Sequence, residues 1–191
     1  MRAVRVSLAV VLLLVMEPLA RNASHFWAMD GCLDSGGAWY GALGCEIADP
    51  PKIDRLIVDK SDRELRAYSG RRLIHAMPVS LGREPVGQKQ VEGDNRTPEG
   101  TYPVVVHKED SAYFRSLRLG YPTPAQLTAG RRAGRDSGGD IMIHGLPNGL
   151  AWIGPWHRLV DWTRGCIALT NGEMLWLYRN VSDGTPVEIR A

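Results

Sequence analysis

The pattern of apolar and polar positions beyond residue 52 predicts a chain built mainly from β-strands. Short apolar or alternating runs bounded by turn residues are typical of strands. Such runs lie at 53–59, 64–68, 71–80, 101–107, 140–144 and 186–190. A helical pattern occurs only at 123–129, where it is weak, and at 170–180, where Thr170 or Asn171 can cap the first turn. We therefore expect a mainly β domain with one or two short helices.

The first 23 residues have the pattern of an export signal. Arg2 and Arg5 precede an uncharged run of eleven residues, 6–16, which Glu17 and Pro18 end. A membrane-spanning helix needs roughly 20 apolar residues, so this run is too short to span a bilayer. The small-x-small cleavage pattern is poor. We expect export, with residues 1–23 acting as a signal peptide or as an uncleaved N-terminal anchor, which would be the only membrane contact.

Composition narrows the class of protein further. The chain has 191 residues, of which 44% are hydrophobic and 23% charged, as in ordinary globular proteins. Without the first 23 residues, basic and acidic side chains are equal in number. This balance argues against binding to nucleic acid through bulk charge. The length that remains suits one domain, which we place at 52–191, beyond Pro50 and Pro51.

The three cysteines lie in two different contexts. Cys32 and Cys45 belong to a glycine-rich stretch within 24–50, and in an oxidising compartment we expect them to close a small disulfide loop. This stretch also resembles a small Cys-Leu-Asp-x-Gly-Gly-x-Trp module of envelope proteins. A redox pair would favour a much shorter spacing. Cys166 is left over as an inert thiol, an intermolecular bridge or a reactive group.

A histidine and this third cysteine form a candidate catalytic pair. His144 ends a short apolar strand, and Cys166 follows 22 residues later, directly after Gly165. An imidazole can take the proton of a thiol, and the thiolate can attack an acyl carbon. For either residue type alone, an inert buried cysteine and a satisfied core histidine are the commoner outcome. The polar segment 82–102 is either a surface loop or a binding loop.

Three motifs in order resemble the L,D-transpeptidase catalytic domain, also called YkuD. They are Gly-Asp-x-x-Thr-Pro-Glu-Gly-x-Tyr at 93–102, His144-Gly145-Leu146, and Thr163-Arg164-Gly165-Cys166-Ile167. The resemblance covers roughly 53–190. It implies a single sandwich-like β domain that acts on peptidoglycan stem peptides through a thioester, in cell wall biogenesis, peptide cross-linking and cell shape. It implies no cofactor and no metal.

The resemblance also assigns roles to individual residues. Cys166 would be the nucleophile and His144 its general base, with the imidazole oriented by the Gly145 carbonyl. The backbone N–H groups of Gly165 and Cys166 would form the oxyanion hole. Supporting residues would be Thr163 and Arg164, and substrate-facing residues would be Arg96, Ser111, Tyr113, Arg115 and Trp156.

Two positions depart from the family pattern. Many members carry His where Arg164 stands, although the cation of Arg164 could itself lower the thiol pKa. Many members carry Arg where Ala168 stands, and that guanidinium could hold a substrate carboxylate. We expect Arg96, Arg115 or Arg118 to replace it.

Other functions stay open at this stage. The motif variant is similar to a murein transpeptidase-related subgroup of the Gram-negative envelope, which points to the periplasm. Some of its members hydrolyse the bond between peptidoglycan and an attached lipoprotein, so an L,D-hydrolase with that lipoprotein as partner is one alternative. An inactive, peptidoglycan-binding module is another. His144, His157 and Cys166 lack the short spacing of zinc motifs, so we expect no metal site. We expect a monomer.

Overall fold

The computed structural model describes residues 52–191 and, before them, two short strands. The chain divides into two units at residues 50 and 51. In the first unit, β1 (Ala38–Trp39) and β2 (Cys45–Glu46) pair antiparallel, with Trp39 opposite Cys45. The expected leader at 1–23 and the expected disulfide between Cys32 and Cys45 lie outside the described residues.

The second unit contains one mixed sheet of eight strands. Their order across the sheet is β5-β4-β3-β10-β6-β7-β8-β9. The pairs β3–β10 and β8–β9 are parallel, and the others are antiparallel. The strands are β3 (Arg55–Asp59), β4 (Glu64–Ser69), β5 (Arg72–Pro78), β6 (Gly100–Ser111), β7 (Phe114–Leu119), β8 (Met142–His144), β9 (Ile167–Ala168) and β10 (Pro186–Arg190).

The long strand β6 joins two halves of this sheet. Its first part, 100–103, pairs with β10, and its second part, 104–111, pairs with β7. Alternate side chains of the strands on both sides enter one apolar core, as expected for strands whose successive side chains point to opposite faces. Members of this core include Leu56, Val58, Leu117, Ile143, Ile167 and Val187. The prediction of a mainly β domain is confirmed.

Two α-helices and one 3₁₀ segment complete the domain. They are α1 (Pro124–Arg132), the 3₁₀ segment (Ala151–Leu159) and α2 (Asn171–Asn180). Each α-helix begins with a capping box, in which a threonine hydroxyl and the third helical side chain satisfy each other's backbone amides. Helix α2 also places Met174 and Leu177 in the core. Within 52–191, no helix has the length and apolar character needed to cross a membrane.

The sheet edge formed by β8 and β9 brings the two sequence motifs together. Ile143 lies opposite Ile167, and His144 lies opposite Ala168. Cys166 immediately precedes β9. Two segments 22 residues apart in the chain are therefore neighbours in the sheet.

Candidate active site

His144 has a defined orientation at the end of β8. Its side chain is buried, with 4% exposure, and Nδ1 lies 2.7 Å from the Gly145 carbonyl oxygen. Because a carbonyl oxygen only accepts, Nδ1 carries the proton and Nε2 is left with its lone pair. Burial lowers the pKa of His144, and the hydrogen bond to Gly145 partly opposes this shift. The imidazole is thus a neutral base.

The Cys166 thiol is protonated in its resting position. Sγ donates to the backbone carbonyl oxygen of Asp140 over 3.6 Å. Burial raises the pKa of the thiol, and the charge of Asp140 adds to the rise, while the Met142 amide and Lys89 lower it. The expected effect of Arg164 on the thiol pKa stays a prediction. Arg164 itself is exposed at the rim of the site.

Thr163 shapes the loop that carries the cysteine. Its hydroxyl accepts from the Gly165 N–H over 3.1 Å and donates to the Cys166 carbonyl oxygen over 2.8 Å. Gly165 has a φ of 122°, and a Cβ there would lie 2.6 Å from the Arg96 carbonyl oxygen. Only glycine fits this close approach. The Gly165 N–H, expected in the oxyanion hole, is instead occupied by Thr163.

A charged pocket of about 210 Å³ opens at the cysteine. Its walls come from the segment 82–102, from 138–141 and from Arg164, and its lining residues are Lys89, Glu92, Gly93, Gly138, Gly139, Asp140, Ile141, Arg164 and Cys166. The long polar segment therefore lines the candidate site, as its interpretation as a binding loop requires.

A buried ion pair fixes this wall of the pocket. Lys89 Nζ donates to Asp94 Oδ1 over 2.7 Å, and both side chains are largely inaccessible. Burial opposes ionisation of Asp94, but hydrogen bonds from Lys89 and from the amides of Gln90, Arg96 and Val91 outweigh it and lower its pKa to about 2. The carboxylate thus holds the turn at 90–96 and pairs the buried lysine.

Two aromatic rings lie close to the ring of His144. The centroid of the Tyr113 ring lies 4.5 Å from that of His144, and the Trp162 centroid lies 5.7 Å from it. Trp162 Nε1 donates to Nδ1 of the buried His157 over 3.4 Å. Burial and the Arg158 cation lower the pKa of His157 to about 4. His157 is therefore neutral, and its Nδ1 accepts the hydrogen bond from Trp162.

The other substrate-facing residues expected from the sequence are distributed unevenly. Ser111 accepts the Tyr113 amide and so shapes the β6–β7 turn. Arg96 contributes its carbonyl to the packing of Gly165, while its guanidinium donates to the Gln88 carbonyl over 3.4 Å. Trp156 is 72% exposed on the 3₁₀ segment.

Arg115 does not reach the pocket. Its guanidinium pairs with Glu109 over 2.6 Å and lies over the rings of Phe114 and Tyr178. Arg118, in contrast, lies 3.8 Å from the carboxylate of Asp140, which is itself a wall of the pocket. Of these two candidates for the missing arginine at 168, the structure places only Arg118 beside the site.

Sequence reasoning missed Lys89 and Asp140 as neighbours of the cysteine. Neither residue belongs to the two motifs that carry the nucleophile and the base. The signal available for Asp140 was its position at the start of the strand that ends in His144. Asp161 accepts the Leu81 amide and pairs with Arg63, so it anchors the turn before Thr163. Within 52–191, no group of three potential ligands is placed to hold a metal ion.

We compared the chain with protein families, curated protein sequences and solved structures. Residues 53–189 match the family YkuD, the L,D-transpeptidase catalytic domain. No match to a curated protein sequence was found.

Among solved structures, the chain is similar to the helical cell shape determining protein Pgp2 from Campylobacter jejuni. A point mutant of Pgp2 is 28% identical with a TM-score of 0.58, over 72% of this chain and 47% of that chain. A second Pgp2 structure is 27% identical with a TM-score of 0.55, over 75% of this chain and 52% of that chain.

Bd1075 from Bdellovibrio bacteriovorus is similar in fold alone, with 22% identity, a TM-score of 0.52, and coverage of 75% of this chain and 49% of that chain. This chain spans about half the length of these structures.

Proposed function

Because the chain belongs to the L,D-transpeptidase catalytic domain family, we propose that it transfers peptidoglycan stem peptides through a thioester on Cys166. The family modifies peptidoglycan, and the finer assignment rests on one observation. The parallel pairing of β8 with β9 places His144, whose Nδ1 is held by Gly145, next to the loop that presents Cys166. Nucleophilic catalysis requires a neutral imidazole that can reach the thiol, and this strand pairing supports such an approach.

The first half of the reaction forms the acyl-enzyme. The substrate displaces the thiol from the Asp140 carbonyl, and His144 Nε2 takes the thiol proton. The thiolate attacks the carbonyl carbon of the diamino acid at the third position, where an L,D peptide bond follows. The C–N bond then breaks, and the imidazolium of His144 protonates the leaving amine.

The oxyanion of the tetrahedral intermediate needs a hydrogen-bond donor. Because Thr163 occupies the Gly165 N–H, the Cys166 amide is the backbone donor that we assign to this role. Thr163 also donates to the Cys166 carbonyl, so it holds the peptide units on both sides of the one that carries this N–H. A preorganised donor of this kind stabilises charge that develops in the transition state.

The second half of the reaction decides the product. His144 removes a proton from the acceptor, which attacks the thioester and releases Cys166. An amine acceptor from another stem peptide gives a cross-link, whereas water gives hydrolysis. Hydrolysis is the second candidate because residue 168, where many family members carry Arg, is alanine, so that position offers no cation to the carboxylate of a stem peptide. The attached lipoprotein is a candidate substrate for this second outcome.

This substrate implies work in the cell envelope, which agrees with the export signal expected at 1–23. Pgp2 is named for determining helical cell shape, and we extend a role in cell-wall shape to this chain.

The test compares the purified protein with Cys166→Ala on disaccharide tetrapeptide and on lipoprotein-linked muropeptide. Mass spectrometry should show cross-linked dimers that depend on Cys166, together with a transient adduct on the intact protein. Release of the terminal residue or of the lipoprotein fragment without dimers would establish the hydrolase. Binding of the peptide with neither product would contradict both enzymatic assignments and leave a peptidoglycan-binding module.

A further inference from the structure

The 3₁₀ segment presents an unusual exposed apolar surface, which we call the aromatic ledge. Trp152 is 80% exposed and Trp156 is 72% exposed. The ledge consists of Leu150, Trp152, Trp156, Leu159 and Val160. Gly154, with a φ of 50°, separates two short turns, and each turn carries one tryptophan. Several large apolar side chains exposed within eleven residues are typical of an interaction site.

The backbone of the ledge is firmly held. His157 is buried beneath it and accepts the Trp162 N–H, and Arg158 pairs with Glu173 of α2. At its end, the Ser80 hydroxyl donates to the Val160 carbonyl over 2.7 Å. The exposed tryptophans are therefore carried on a fixed support, which reduces the entropy lost when a ligand binds.

The segment that carries the ledge is linked to the candidate active site through the buried ring of His157. The ring of His157 lies 6.5 Å from that of Trp162, whose ring lies 5.7 Å from that of His144. The 3₁₀ segment thus packs on the histidine side of the site through Trp162, while the charged pocket opens at the cysteine. A substrate that spans the catalytic pair meets two chemically different surfaces.

The two surfaces match the two chemical parts of the proposed substrate. The stem peptide is charged, and the pocket at Cys166 carries Lys89, Glu92, Asp140 and Arg164. The glycan backbone is uncharged, with apolar C–H faces on its pyranose rings that pack against indole rings. Between 150 and 160 the only Lys, Arg, Asp or Glu is Arg158, and Glu173 neutralises it. A site for a lipid surface would favour unpaired basic residues beside the tryptophans.

We propose that the aromatic ledge binds the sugar rings of the glycan strand to which the reacting stem peptide is attached. This proposal rests on the proposed function, and it makes Trp152 and Trp156 determinants of substrate size. Peptides that carry their sugars bind through both surfaces, and free stem peptides bind through the pocket alone.

The experiment compares the kinetics of free tetrapeptide, disaccharide tetrapeptide and longer glycan-linked tetrapeptide. In the double variant Trp152→Ala/Trp156→Ala, we expect KM to rise about tenfold for the glycan-linked substrates, as expected when two aromatic contacts are lost. The KM for free tetrapeptide should rise less than the KM for the glycan-linked substrates, and the single variant Trp152→Ala should leave the KM for free tetrapeptide unchanged. Leu73→Ala, which truncates an exposed apolar side chain on β5, should leave all KM values unchanged.

A binding measurement separates this proposal from the proposed chemistry. Peptide-free glycan is titrated into the Cys166→Ala variant and followed by isothermal titration calorimetry, and the binding heat should disappear when Trp152 and Trp156 are also replaced. Glycan binding without turnover of any substrate by the parent protein would overturn the chemistry and support the ledge.

Several outcomes would overturn the ledge proposal. One is an equal rise in KM for free and glycan-linked peptides, and another is a parent protein that does not distinguish them. The parent protein could instead bind phosphatidylethanolamine–phosphatidylglycerol vesicles, and the double variant could lose that binding while glycan binding is absent. The parent protein could also self-associate through the ledge, and the double variant could lose that self-association while glycan binding is absent.

Discussion

The two halves of the sheet are built in different ways. The core half, β3, β4, β5 and β10, consists of strands of five to seven residues, and β3 lies between β4 and β10 with its three central residues buried. The site half, β7, β8 and β9, ends in strands of three and two residues. Short strands supply few ladder hydrogen bonds, so other contacts must hold the site half in place.

Side-chain to backbone hydrogen bonds provide those contacts. Thr163 closes the cysteine loop, Asp161 accepts the Leu81 amide, Thr97 accepts the Gly82 amide, and Asn171 accepts the Leu146 amide. The Thr163 bonds lie within the cysteine loop, and the other three bonds each join a loop of the site to another segment. In the core half, longer strands and apolar packing stabilise the fold. In the site half, polar side-chain contacts determine the geometry of the site.

Replacing the nucleophile should separate function from stability most completely. For Cys166→Ala we expect kcat/KM to fall by at least about 10³-fold, because the acyl-enzyme cannot form. The melting temperature should stay close to that of the parent protein, since the core half is unchanged. Turnover by the variant in the peptidoglycan assay at more than a few per cent of the parent rate would contradict the role of Cys166.

Gly165→Ala tests the tight packing of the site half. Its Cβ would lie 2.6 Å from the Arg96 carbonyl oxygen at a φ of 122°, so we expect a loss of about 2–4 kcal/mol in unfolding free energy. Gly172→Ala in α2 is the matched control, because its Cβ meets open space, and we expect a gain of up to about 1 kcal/mol there. Denaturant unfolding measures both. Equal effects of the two substitutions would contradict the proposed constraint.

Thr163→Val removes a hydroxyl that bridges two backbone groups of the cysteine loop. We expect a loss of about 1–3 kcal/mol in unfolding free energy, because Gly165 N–H and the Cys166 carbonyl lose a common partner. We also expect kcat to fall about tenfold, or ~1.4 kcal/mol. Thr128→Val, whose exposed hydroxyl donates only to the Pro124 carbonyl, should change neither quantity appreciably. An unchanged kcat in Thr163→Val would show that the loop needs no such bridge.

Protonation of Asp94 at low pH should lower the unfolding free energy of the protein. The folded-state pKa of Asp94, about 2, lies below the ordinary value of 3.8 for this side chain, so its contribution to stability is present above about pH 4 and is lost as the pH falls toward 2. Unfolding free energy measured across this range should fall less steeply in Asp94→Asn than in the parent. Asp110→Asn, at an exposed position of β6, should follow the parent. If unfolding free energy fell with pH equally steeply in the parent, Asp94→Asn and Asp110→Asn, the stabilising role of the Asp94 carboxylate would be contradicted.

The smallest expected effect concerns the charge of Asp140. Burial raises the thiol pKa, and the Asp140 carboxylate adds to that rise, so Asp140→Asn should lower the thiol pKa. We expect alkylation of Cys166 by iodoacetamide to become about two- to threefold faster at fixed pH below the thiol pKa. Cys166→Ala gives the background rate. A slower or unchanged rate would show that the carboxylate does not act on the thiol.

Strands of the core half could be predicted closely from the sequence. The run at 186–190 matches β10, and 64–68 differs from β4 by one residue, because alternating apolar side chains enter one core. Strand β7 was missed, since Arg115, Ser116 and Arg118 interrupt its apolar pattern, although Leu117 and Leu119 enter the core and Phe114 packs against it. Strand β9 was missed because two residues are too few to form a pattern.

The sequence by itself determined the contacts that join near neighbours. His144 is oriented by the next residue, Thr163 binds within its own loop, and Thr170 caps α2 with Glu173. Such bonds span a few residues, so adjacent residue types specify them.

Only the tertiary structure decided that β8 pairs with β9, that the thiol rests on the Asp140 carbonyl, and that Lys89 enters the pocket while Arg115 turns away. Those contacts join segments far apart in the chain. Their formation depends on strand register and core packing, which no single segment contains.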